Sequence, residues 1–238
     1  MKEKLRIAIC DDEKNVAEEL EKLISALLSE MKADNEITLY QSGESLLAHI
    51  EETQVVFLDI DMPGMDGIAV GRQICAKNPR CFIIMETGVD RRVREAFQIG
   101  AIRSLAKPFD ERDVREALET VLDRMIGSKT ITVYSNRQPF EVEQRDIVYA
   151  RAINSQVELF TEGQTYRRAA TMDQLEKELD SRLFYRIHRQ YLVNLKYITR
   201  KPGEKVKVNG QELPVARDRK SGLIYAWMEF DLKYRRGM

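Results

Sequence analysis

Short apolar runs alternate with longer amphipathic stretches through the first half of the chain. Residues 5–10, 36–40, 55–60, 81–86 and 102–106 have the length and composition of buried strands, although Arg6, Arg103 and Ser104 interrupt the first and last. Residues 14–31, 44–51, 66–77, 90–99 and 110–126 carry helical periodicity. The clearest is 14–31, where Val16, Leu20, Leu23, Ile24, Leu27, Leu28 and Met31 recur at three- and four-residue steps and Glu and Lys fill the other face. This alternation predicts right-handed βαβ units, hence an α/β domain built on a parallel sheet.

The pattern changes at Gly127-Ser128-Lys129, which breaks the last helix and predicts a linker at 127–130 between domains at 1–126 and 131–238. Beyond it, residues 131–134, 147–150, 156–161, 164–168, 192–198, 205–208 and 211–215 read as short strands. Glu162-Gly163, Pro202-Gly203 and Asn209-Gly210 supply turns, the last a type I′ hairpin signal. Residues 172–179, capped by Thr171, predict one helix, and 218–226 a weaker one. The second domain is therefore expected to be mainly β.

A length of 238 residues suits two domains of roughly 100–130 residues each. The apolar share of 43% and charged share of 32% describe a globular chain able to bury a core in each. No apolar stretch approaches the roughly 20 residues needed to span a bilayer, and Met1 to Arg6 lacks a signal-peptide pattern, so a cytoplasmic protein without a membrane partner is expected. Cys10, Cys75 and Cys81 form no CxxC pair and read as reduced, buried thiols. The net charge of −1 hides a polarity. Residues 1–126 hold 17 Lys plus Arg against 25 Asp plus Glu, and residues 127–238 hold 21 against 14. A basic second domain suggests a polyanionic partner, against the plainer reading of a solvated basic surface.

Polar groups stand where the predicted strands end: Asp11 and Asp12, Asp59, Thr87 and Lys107. In an open α/β sheet those ends form the ligand edge. A carboxylate can accept a phosphoryl group only if the gathering negative charge is neutralised, which a hard divalent cation on carboxylate oxygens achieves, with Lys107 and the Thr87 hydroxyl serving the phosphoryl oxygens. Taken singly each residue has a structural role open to it. Asp12 suits a helix N-cap, and Lys107-Pro108 suits a turn.

The stretches Ile9-Cys10-Asp11-Asp12-Glu13, Phe57-Leu58-Asp59-Ile60-Asp61-Met62-Pro63-Gly64-Met65-Asp66-Gly67, Thr87-Gly88 and Lys107-Pro108-Phe109 closely resemble the receiver domain of bacterial two-component response regulators, over residues 5–126. The resemblance implies a flavodoxin-like (βα)5 fold and phosphorylation of Asp59 by a sensor histidine kinase. It also implies Mg²⁺ held by Asp11, Asp12, Asp59 and the Asp61 backbone carbonyl, with Thr87 and Lys107 on the phosphoryl group. Two positions depart from the pattern: Ser104 replaces an aromatic, and Glu86 a small apolar residue. A Glu86–Arg103 pair across adjacent strands is expected. Asp59-Ile60-Asp61 also looks like the nucleophile motif of haloacid-dehalogenase-type phosphohydrolases, but that family wants Thr where Pro63 stands.

In the second half, Phe184-Tyr185-Arg186-Ile187-His188-Arg189-Gln190-Tyr191-Leu192-Val193-Asn194-Leu195, with Asn209-Gly210 and Leu213-Pro214-Val215-Ala216-Arg217, resembles the LytTR-type DNA-binding domain over about 130–225. That family reads double-stranded DNA through loops laid into successive major grooves. Asn194 and Arg217 are the expected base or backbone contacts, with the Asn154-Ser155 turn a third contact loop and Arg189, Lys196, Arg219 and Lys220 phosphate partners. His188 is as well suited to a packed structural role, and Tyr185 and Tyr191 to core packing. The chain reads as a non-enzymatic, DNA-binding transcriptional regulator that dimerises on direct repeats when phosphorylated. The alternative is a receiver whose β-rich partner binds a protein or an anionic ligand.

Overall fold

The computed structural model describes residues 4–88 and 93–235. Two compact units divide between Leu122 and Asp123. The first is built from β1 (Leu5–Cys10), α1 (Lys14–Glu30), β2 (Asn35–Tyr40), α2 (Gly43–Leu47), β3 (Val55–Asp59), α3 (Gly67–Lys77), β4 (Phe82–Thr87), α4 (Val93–Gln98), β5 (Arg103–Ala106) and α5 (Glu111–Arg124). Its five strands are parallel in the order β2-β1-β3-β4-β5, as the alternating pattern requires. All five residues of β3 are buried, because helices cover both faces of the sheet. The α1 stripe buries Ala17, Leu20, Ile24, Leu27 and Leu28.

Two local expectations change. The predicted helix at 44–51 divides into α2 and a 3-10 turn, Ile50–Glu52. The N-cap of α1 is Glu13, without a capping side chain, and the Glu13 N–H instead reaches Asp11 Oδ1 at 2.8 Å, so Asp12 is not a cap. Residues 90–92 of the helix expected at 90–99 lie outside the described residues. Cys10 is buried and Cys81 half-buried, but Cys75 is exposed on α3, contrary to a set of three buried thiols.

The second unit contains β6 (Thr130–Ser135), β7 (Gln138–Glu143), β8 (Ile147–Ile153), β9 (Gln156–Thr161), β10 (Thr165–Arg168), α6 (Met172–Glu178), β11 (Phe184–His188), β12 (Tyr191–Asn194), β13 (Lys205–Val208), β14 (Gln211–Pro214) and α7 (Lys220–Phe230). Seven strands form an antiparallel sheet in the order β11-β12-β8-β9-β10-β6-β7, and β13 and β14 form a separate hairpin. Asn209 and Gly210 both have positive φ, the type I′ geometry their sequence predicts. Asn136 and Arg137 do the same between β6 and β7 without a glycine to announce it. β7 escapes sequence reading because it is an edge strand, exposed over its first four residues and carrying Pro139.

The expected linker at 127–130 is part of this second unit. The Gly127 carbonyl accepts the Arg145 N–H at 2.8 Å, the Lys129 carbonyl accepts that of Gln144 at 2.9 Å, and Thr130 opens β6. Gly127 adopts a φ of +67° and packs against Leu183 and Arg145, so its glycine serves a bend held in place rather than a free hinge.

Gly67 joins the fold of the first unit to its ligand edge. α3 begins so close to the end of β3 that a Cβ at Gly67 would overlap the Asp59 carbonyl oxygen. Backbone cannot move aside as a side chain can. Gly67→Ala should therefore lower stability by about 1–3 kcal/mol, the usual cost of overpacking, read as a lower urea midpoint for the first unit; an unchanged midpoint would contradict the close approach.

Candidate functional site

The ends of β1, β3, β4 and β5 bring four ionisable side chains together and place Thr87 at the same edge. Asp11 follows β1, Asp59 ends β3, Glu86 and Thr87 end β4, and Lys107 follows β5. The parallel register pairs Asp59 with Glu86 and Glu86 with Leu105, so Asp59 and Glu86 project from the same face of the sheet. Lys107 Nζ lies 2.7 Å from Asp11 Oδ2 and 3.1 Å from Asp59 Oδ1. Asp11, Asp59, Glu86 and Thr87 are buried. Asp12 is more open, and one carboxylate oxygen from each of Asp11, Asp12 and Asp59 falls within 4.8 Å of the others.

That geometry shifts proton affinities in a consistent way. Burial pushes the Asp59 carboxyl above the usual aspartate value and the neighbouring Asp11 adds to this, against the opposing pull of Lys107 and the Asp61 N–H. Burial disfavours the Lys107 cation, yet its hydrogen bond to Asp11 and the charge of Asp59 outweigh that and hold it above the usual lysine value. The Cys10 thiol is pushed up to about 12, first by burial and then by the negative charges of Glu86, Asp11 and Asp59. It is an inert core group.

Glu86 does not pair with Arg103. Arg103 is in register with Ile84, two residues back along β4 from Glu86, and its guanidinium reaches Glu116 of α5 at 3.1 Å. Glu86 has no exposed surface, and neither carboxylate oxygen has a hydrogen-bond partner among the described residues. Burial, and then the charge of Asp11, hold its carboxyl well above the glutamate value despite Lys107. Ser104, in register with Met85, also buries its hydroxyl without a partner among the described residues.

In the second unit the expected DNA-contact residues separate. Asn194 is fully buried. Its Nδ2 donates to the Ile147 carbonyl at 2.8 Å and its Oδ1 accepts the Lys196 N–H at 2.9 Å. With its amide committed to holding β12 against β8, it is not a DNA reader. Lys196 follows it at that same end of the sheet, its ammonium over the Tyr197 ring. The exposed Asn154-Ser155 turn lies at the other end of β8, roughly 20 Å away at the usual strand rise.

Beside that turn stands the β11–β12 turn, whose Gln190 carbonyl accepts the Ala152 N–H at 2.9 Å and whose Arg189 is exposed. The Ala216 N–H reaches the Ile187 carbonyl at 2.9 Å and carries Arg217, Arg219 and Lys220 to this end as well. Arg217 is exposed and forms no ion pair among the described residues. His188 is half-buried, with Nδ1 accepting the Gln190 N–H at 3.2 Å. Tyr185 and Tyr191 pack against the core, as their alternation suggested.

Glu86 makes stability depend on pH in a defined direction. Above the ordinary glutamate range the unfolded chain ionises this residue while the folded chain keeps its proton, so stability falls as pH rises, until the elevated folded value is passed. Glu86→Gln removes this penalty. In the absence of divalent cations, its gain in urea midpoint over the parent protein should grow as pH rises above the ordinary glutamate range; a constant offset would show that Glu86 titrates normally.

Comparison with known proteins agrees with both halves. Residues 7–119 match the response regulator receiver domain, and residues 138–227 match the LytTr DNA-binding domain. The sensory transduction protein LytT of Oceanobacillus iheyensis is 30% identical over 207 residues, 81% of this chain and 81% of that protein. LytT of Bacillus subtilis is 26% identical over 205 residues, covering 82% and 84%. The transcriptional regulatory protein LytR of Staphylococcus aureus is 24% identical over 210 residues, covering 82% and 85%. The chain belongs to the LytT/LytR family of two-component response regulators, in which a receiver domain is joined to a LytTR DNA-binding domain that acts in transcription.

Proposed function

We propose that Asp59 is the phosphoacceptor, loaded by a sensor histidine kinase, and that the acylphosphate controls DNA binding by the second unit. The observation that carries this is the convergence of Asp11, Asp12, Asp59 and Lys107 at one sheet edge, with the ammonium 3.1 Å from the Asp59 carboxylate. The clustered carboxylate oxygens are a hard donor set that fits Mg²⁺, with Asp11, Asp12, Asp59 and the Asp61 carbonyl as the protein ligands. When bound, the cation would offset charge on the phosphoryl oxygens.

The residues of the chain supply the remaining steps. An Asp59 carboxylate oxygen attacks phosphorus, the P–N bond of the phosphohistidine breaks, and the imidazole leaves with the electron pair and takes up a proton. Lys107 gives its positive charge to one phosphoryl oxygen and the Thr87 hydroxyl donates to another. Asp11 keeps Lys107 at the site while Asp59 is converted. On this reading the group is received and held as a signal, and Pro63 stands where the phosphohydrolase motif has Thr.

The DNA-facing set is drawn from the shared end of the second sheet: the Asn154-Ser155 turn, Arg189, Arg217, Arg219 and Lys220. Exposed arginines there can reach guanine edges or phosphates. Phosphorylation favours a homodimer whose two output units occupy direct repeats in the major groove, which raises local concentration without new contacts. A cytoplasmic site of action fits this role. No helix among the described residues is long and apolar enough to cross a membrane.

Asp59→Asn should abolish labelling by acetyl phosphate with Mg²⁺, scored by intact-protein mass; stoichiometric labelling of that variant would refute the assignment. Arg217→Ala should weaken binding to a preferred duplex by roughly 1–3 kcal/mol if it reads a base. In a salt titration, equal affinity and equal sequence preference for parent and variant would remove Arg217 from the interface.

A further inference from the structure

The turn between β11 and β12 presents His188 and Arg189 at the proposed DNA-facing end, and the ladder leading into it is irregular. Arg186 is in register with Leu192 and His188 with Tyr191, so one extra residue interrupts the pairing just before the turn. A bulge breaks the regular spacing of the ladder at this point. The side chain of Arg186 braces the turn from outside the ladder. Its Nε donates to the His188 carbonyl at 2.8 Å and its Nη2 to the Arg189 carbonyl at 2.6 Å.

The other edge of the same guanidinium is fixed from α6. Nη1 lies 3.1 Å from Asp173 Oδ1 and 3.1 Å from Glu176 Oε2. α6 is itself anchored by a reciprocal cap, in which Thr171 Oγ1 accepts the Gln174 N–H and the Gln174 side chain accepts the Thr171 N–H. The Arg186 side chain is only 11% exposed, and two carboxylates answer its charge. It is therefore neither placed nor charged to grip a phosphate. Its rigid fork spans two successive carbonyls, which a lysine ammonium cannot do in one plane.

We propose that Arg186 is the positioning residue for sequence recognition: by clamping the His188 and Arg189 carbonyls from behind, it sets the conformation in which this turn meets the bases. The proposal rests on the DNA-binding reading and deepens it. A positioning residue and a phosphate contact differ in what they change. Loss of a phosphate contact weakens binding to all sequences and lowers the salt slope by about 1. Loss of positioning lowers discrimination and leaves the salt slope intact.

The experiment uses the full chain and two duplexes: one selected from random-sequence DNA by the parent protein, and a scrambled duplex of the same composition. Arg186→Met keeps the aliphatic stem and removes every donor. It is expected to lower the preference for the selected duplex by about tenfold or more while the slope of affinity against salt stays at the parental value. Retained preference, or an equal loss on both duplexes with a shallower salt slope, overturns the proposal. Should Arg186→Met fail to fold by circular dichroism, Arg186→Lys takes its place. That variant keeps the buried charge between Asp173 and Glu176 but cannot span both carbonyls, and full parental preference in it overturns the proposal equally. If the parent protein itself shows no preference for any duplex, the DNA-binding reading fails first; if the parent discriminates and the variants do too, only the role of Arg186 is lost.

Discussion

One ammonium group makes the first unit's ligand edge possible. Asp11 and Asp59 end neighbouring strands of a parallel sheet, and their buried carboxylates would repel each other and resist desolvation if left alone. Lys107, arriving from β5 two strands away from β3, touches both. The same arrangement leaves the Asp59 carboxyl poised, raised by burial and restrained by the lysine. A group that adds negative charge at Asp59 must alter this balance, and the structure gathers the responding groups within a few residues of four strand ends.

Glu86 is an additional burden on that balance. A carboxylic acid in this position is surrounded by Asp11, Asp59 and Lys107, and it keeps its proton beside the Asp11 carboxylate. Such groups are costly in a folded protein and are concentrated at functional sites. Here the cost is carried by a sheet whose strands β1, β3 and β4 are almost wholly buried, and whose helices α1 and α5 bury continuous apolar stripes.

The second unit solves a different problem, presenting polar loops from a rigid β scaffold. Two-residue turns with positive φ at Asn154 and Asn209 need no long connections, and the Asn154-Ser155 turn lies beside the β11–β12 turn because β12 pairs with β8. Motif position alone misassigned Asn194. Its place after Val193 is equally compatible with an exposed reader and with a buried cap, and the direction of its side chain depends on β8, nearly 50 residues earlier in the chain. Arg186 shows the converse. It stands inside the stretch that resembles the LytTR pattern, but its role carries no signal, because its partners lie on α6 and on a bulged turn that sequence spacing does not reveal.

The sequence by itself determined the division into an α/β half and a β-rich half, the order of the first five strands and helices, and the set Asp11, Asp12, Asp59, Thr87 and Lys107. Buried parallel strands require unbroken apolar runs, so any polar residue at their ends stands out against them. What only the tertiary structure decided is whatever depends on pairing between distant segments. The edge strand β7 lacks the alternation of a half-buried strand. Residues 127–130 are bound to Arg145 and Gln144 rather than left as a linker. Arg103 turns to α5 instead of Glu86, because strand register places Leu105 and not Arg103 beside that glutamate. Periodicity is a local property of a chain, whereas register and partner choice are set by contacts that form only when remote segments meet.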